Sequence, residues 1–85
     1  MINYLYILKS LKVYKYYTGI SDNPHRRIIY HNTTKKGFTS RYRPWELVYT
    51  EKFNNRAEAL AAEKKVKNWK SRVMIEKLIA GEIKL

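Results

Sequence analysis

Residues 3–19, NYLYILKSLKVYKYYTG, read as two strands and the turn between them. Asn3–Lys9 is rich in aromatic and branched side chains, which reads as a strand. The same character returns over Lys12–Gly19. The few residues between imply a tight antiparallel hairpin, although neither Asn-Gly nor Asp-Gly marks its turn. The next stretch, SDNP at 21–24, ends the pattern. Asp22 or Asn23 can cap a helix by accepting from free backbone N–H groups, and Pro24 suits its first turn, so a helix is predicted over Pro24–Asn32.

Residues 33–44, TTKKGFTSRYRP, are polar, basic and punctuated by Gly37 and Pro44, which predicts a loop. WELVYTEKF at 45–53 predicts a third strand, with Trp45, Leu47 and Tyr49 on one face and Glu46, Val48 and Thr50 on the other. Asn55 followed by Glu58 resembles a capping box. Ala59, Ala62, Val66 and Trp69 then recur at helical spacing and form a buried stripe. Ser71 can cap a last helix over about 71–80, with Gly81 near its end. The order β-β-α-β-α-α predicts an α+β domain, a small three-stranded antiparallel sheet flanked by helices.

The 85 residues suit one domain, with a core over about 3–70 and the last helix beyond it. Lysine and arginine number 18 against 7 acidic residues, a net charge of +11. A field of that sign favours a polyanionic partner, and nucleic acid is the commonest for a soluble protein. Without cysteine, neither a disulfide nor a thiolate zinc site is available. The chain has no apolar run of membrane-spanning length and no signal-peptide pattern at its start, so a cytoplasmic location and no membrane partner are expected.

Three features bear chemistry. Arg27 and His31 lie four apart on the first helix and share a face. A guanidinium donates paired hydrogen bonds to phosphate, and an imidazole exchanges a proton near neutral pH. A solvated helix face would present the same pair. Tyr6 and Tyr17 sit one on each strand of the hairpin, where a tyrosine also simply packs. Glu63, beside the buried stripe, lies at the margin of core and solvent. It can hold Mg²⁺ with waters and substrate oxygens completing the shell, or it can pair with Lys67. In the basic loop, Lys35, Lys36, Arg41 and Arg43 alternate with Phe38, Tyr42 and Trp45, a pattern suited to backbone phosphates and an unstacked base. Trp45 also reads as a core anchor.

YLYIL at 4–8, YYTG at 16–19, NPHRRIIYHN at 23–32, RPWELVY at 43–49 and AEALAAEKKVK at 57–67 together resemble the GIY-YIG nuclease superfamily. Within it the chain is similar to short single-domain bacterial members related to the catalytic domain of structure-specific endonucleases. Tyr4-Leu5-Tyr6 and Tyr17-Thr18-Gly19 stand where the family's two naming triplets would be. The resemblance implies catalytic roles for Tyr6, Tyr17, Arg27 and His31, a metal-binding role for Glu63, and supporting positions for Gly19 and Asn32. Asn68 is the nearest counterpart of a further polar residue that some members place after the glutamate.

The implied function is metal-dependent hydrolysis of DNA phosphodiester bonds, directed by structure rather than sequence. One Mg²⁺ or Mn²⁺ ion is expected, since the seven acidic residues form no obvious pair. The alternative is a nucleic-acid-binding module that keeps the nuclease fold with little or no activity. Family enzymes often carry an extra DNA-binding domain, so a dimer or a protein partner could supply further contacts here. Which tyrosine acts as base is left open.

Overall fold

A computed structural model describes residues 1–85. Three antiparallel strands, β1 (Asn3–Ser10), β2 (Tyr16–Ser21) and β3 (Trp45–Phe53), form a sheet in the order β2-β1-β3. Three helices accompany it: α1 (Pro24–Thr33), α2 (Arg56–Trp69) and α3 (Arg72–Ile79). The strand and helix order is the one predicted.

The central strand is sealed on both faces. Leu5 and Ile7 point to one side, packing with Val66 of α2 and Leu78 of α3. Tyr6 and Leu8 point to the other and pack with Trp45, while Ile28 of α1 lies against them. Each fully buried aliphatic side chain contributes roughly 1.5–3 kcal/mol. The helix ends follow their local chemistry. Asn23 Oδ1 accepts from the Arg26 amide at 3.1 Å, Asn55 Oδ1 from Glu58 at 2.9 Å and Ser71 Oγ from Met74 at 3.2 Å.

Three expectations are corrected. β2 begins at Tyr16 rather than Lys12, so a five-residue connection at 11–15 replaces the tight hairpin. Ser10 explains it: its hydroxyl accepts from the amides of Lys12 and Val13, giving the turn partners that no glycine provides. The faces of β3 also exchange partway. The register with β1 shifts between Ile7 and Leu8, which oppose Tyr49 and Leu47, leaving Val48 as the extra residue of a bulge. Trp45 and Leu47 therefore pack on the α1 side, and Tyr49 packs on the opposite side with Val48 and Phe53. Finally, residues 38–42 of the expected loop form a 3-10 turn. Thr39 is buried within it, and its carbonyl accepts from the Trp45 indole at 2.9 Å.

Asn32 joins α1 to the start of β3. Its Nδ2 donates to the Trp45 carbonyl at 3.0 Å, and its Oδ1 accepts from the Trp45 amide. Replacing Asn32 with Ala leaves both backbone groups without partners. The expected loss is about 2 kcal/mol and a melting midpoint lower by roughly 10 °C. An unchanged thermal unfolding curve would show that the clamp contributes nothing to stability.

Candidate active site

β1 delivers Tyr6, β2 delivers Tyr17 and Gly19, and α1 delivers Arg27 and His31. Tyr6 opposes Gly19 in the ladder, and its ring lies across that glycine. A Cβ on Gly19 would fall 2.6 Å from the Tyr6 hydroxyl and 2.7 Å from Cζ. Only glycine leaves room for the phenol to reach α1. There the Tyr6 hydroxyl meets His31 Nε2 at 3.1 Å, and His31 Nδ1 meets Thr39 Oγ1 at 2.9 Å. The Tyr17 ring packs 4.8 Å from the imidazole and 6.4 Å from the Tyr6 ring. Arg27 lays its guanidinium 4.5 Å over the Tyr30 ring, at i+3 on the same helix.

Burial and charge set the protonation states. Burial pushes the Tyr6 phenol above its usual 10.0; the Arg27 guanidinium offsets part of the rise, while Tyr17 and the Glu63 carboxylate add to it. Burial also holds His31 down at about 4, with Arg27 contributing, so the imidazole is neutral at physiological pH. A neutral imidazole has one donor and one acceptor nitrogen, which suits its two hydroxyl neighbours in either tautomer.

Tyr6, Tyr17, Arg27 and His31 are thus brought together directly. Glu63 is half-buried on α2, within electrostatic reach of Tyr6, and accepts from Lys67 at 3.1 Å. No three His, Asp or Glu side chains cluster anywhere in the chain. A lone carboxylate fits Mg²⁺ or Mn²⁺, hard ions that keep several waters and take substrate oxygens for the rest. Asn68 is exposed on α2. In the basic segment Lys35, Lys36 and Arg41 are exposed, whereas Arg43 is half-buried and donates to the Thr34 carbonyl at 3.0 Å, bracing the loop. Trp45 is core, 3% exposed.

Two residues of the site escape the sequence reading. Thr39 has no local signal, since it meets His31 only through the 3-10 turn. Tyr30 had one, its i+3 spacing from Arg27.

The histidine also makes stability depend on acid. In the folded chain His31 titrates near 4 against 6.5 when unperturbed. Between these values the unfolded chain binds the extra proton, so the contribution is complete above 6.5 and is lost as pH falls towards 4. The expected loss is on the order of 3 kcal/mol. Chemical denaturation of the wild type and of His31→Gln across this range checks it. The variant should lose this part of the slope, and parallel profiles would refute the assignment.

Similarity to known proteins extends along nearly the whole chain. Residues 2–77 match the GIY-YIG catalytic domain. The chain is 34% identical to the UPF0213 protein SSP2268 of Staphylococcus saprophyticus, over 93% of this chain and 96% of that one. It is 36% identical to the UPF0213 protein NP_0776A of Natronomonas pharaonis, over 94% and 93%. The solution NMR structure of the UPF0213 protein BH0048 from Bacillus halodurans superposes with a TM-score of 0.59 at 36% identity, covering 94% of this chain and 84% of that one. The glycine-backed pair of tyrosines on the hairpin, the arginine and histidine of the first helix and the match along nearly the whole chain lead to one conclusion: this chain belongs to the GIY-YIG nuclease family.

Proposed function

We propose that the chain is a metal-dependent endonuclease that hydrolyses DNA phosphodiester bonds and recognises the shape of its substrate rather than a base sequence. The observation that carries this reading is the meeting of two phenols, a guanidinium and a neutral imidazole at one point, with a carboxylate in electrostatic reach. Bound through Glu63, Mg²⁺ or Mn²⁺ would polarise the scissile phosphate and stabilise the leaving oxygen.

The protein's own groups divide the remaining work. Arg27, propped on Tyr30, donates to the phosphate oxygens as negative charge builds on them, where a preorganised donor is worth most. Tyr17 is the phenol that an attacking water reaches, because Tyr6 is only 1% exposed. Its oxygen takes a proton from the water as its own proton passes to solvent. Tyr6, His31 and Thr39 form a neutral hydrogen-bonded chain that orients the Tyr17 ring and keeps water out from behind it. Lys35, Lys36 and Arg41 are exposed and free to meet backbone phosphates, contacts that position a nucleic acid without reading its sequence.

The second reading, a nucleic-acid-binding module without turnover, draws on one observation: Lys67 holds the Glu63 carboxylate. One assay separates the two. Branched, flapped and single-stranded DNA are incubated with Mg²⁺ or Mn²⁺, and in parallel with EDTA. Metal-dependent cleavage is expected, with Tyr17→Phe slowed about 10²–10⁴-fold and Arg27→Ala about 10²–10³-fold. Glu63→Gln should abolish the response to metal while leaving DNA bound. Binding without metal-dependent products on any substrate would favour the module.

For the loop, Lys35→Gln with Lys36→Gln should lower the slope of log affinity against log salt on duplex DNA by about 0.9 for each phosphate no longer neutralised. An unchanged slope removes these lysines from the interface.

A further inference from the structure

Beyond the tyrosine–arginine–histidine cluster, the edge of β2 and the junction of α2 with α3 enclose a groove of about 370 Å³. Lys15, Lys67, Lys70 and Arg72 line it, and no acidic side chain does. Tyr17 and Thr18 of β2 are also among its lining residues, so it adjoins the candidate active site at Tyr17.

One backbone detail singles out this groove. Lys70 follows the last residue of α2 in the left-handed conformation, at φ 48° and ψ 33°. It is the one non-glycine residue of the chain with positive φ; Gly37 and Gly81 occupy the others, at 91° and 79°. A Cβ at such a helix end is unfavourable, and glycine is the residue that relieves it. The chain places glycine at two positions that demand this backbone and a lysine at the third, where the side chain lines the groove. Two residues on, the Arg72 guanidinium is held 4.0 Å over the Tyr14 ring, already ordered at the groove's rim. Of the four cations, Lys67 is paired with Glu63, Lys15 and Arg72 are held over aromatic rings, and Lys70 stands on an unfavourable backbone; together they suit the phosphates of a nucleic-acid backbone.

We infer that this groove holds the sugar–phosphate backbone of one strand of the nucleic acid next to the scissile phosphate, with Lys70 and Arg72 each on a phosphate. The inference rests on the nuclease reading for its direction, since the strand enters past Tyr17.

The test is binding of a short fluorescein-labelled oligothymidylate in EDTA, where no cleavage contributes, between about 50 and 200 mM salt. Lys70→Gly should bind roughly threefold or more weakly, and its salt slope should fall by about 0.7. The same variant should melt at a higher temperature than the wild type, because glycine relieves the backbone. Lys70→Gln and Arg72→Gln should lose the same affinity without that gain. Lys77→Gln, an equal change of charge on α3 outside the groove, sets the background. A loss at Lys70 no larger than at Lys77 overturns the groove assignment, as does equal competition by polyglutamate at matched ionic strength. Failure of the nuclease reading would look different, with oligothymidylate affinity intact and no product under Mg²⁺ or Mn²⁺.

Discussion

The phenol of Tyr6 crosses the bare Cα of Gly19 to reach His31, and most of the site depends on that crossing. It ties β1 to α1 through one hydrogen bond of 3.1 Å and is possible only because the opposing residue on β2 has no side chain. With Tyr6 in place, His31 is enclosed, its second nitrogen finds Thr39, and the segment after α1 is drawn against the helix. Asn32, the next residue along α1, fastens the start of β3 in the same stroke. Two sheet strands, one helix and one 3-10 turn are thus registered by groups that all lie within or beside the candidate site.

That enclosure decides the electrostatics. In a chain of net charge +11, a buried imidazole beside an arginine has every reason to shed its proton, and burial is the larger cause. The result is a neutral, fully bonded interior backing a strongly cationic exterior. Positive charge is kept where it is solvated, on Lys35, Lys36, Arg41 and the groove cations, and is withheld from the hydrogen-bonded chain behind Tyr17. This division suits a protein that attracts a polyanion over a broad surface and orders it at one point.

Much of the architecture follows from residues close together in the chain. Asn23, Asn55 and Ser71 cap the helices at the predicted positions because capping needs only an amide two or three residues away. The stripe of Ala59, Ala62 and Val66 is buried as its spacing demands. The misreadings share a cause. The β3 bulge at Val48 arises from pairing with a strand some forty residues earlier, and alternation along one strand carries no trace of it. The late start of β2 depends on Ser10 turning its hydroxyl towards two amides, a choice open to any serine. Arg43 looked like its loop neighbours, yet the fold directs its guanidinium to the Thr34 carbonyl.

By itself the sequence determined the order of strands and helices, their caps and the cationic balance. Each of these is a matter of residue type or short spacing. Tertiary structure alone decided that His31 is neutral, that Tyr17 rather than Tyr6 faces solvent, that Thr39 joins the site, and that a left-handed Lys70 lines a groove beside it. Those outcomes depend on burial and on distances between segments remote in the chain. Neither quantity exists until the strands have paired and the helices have closed over them.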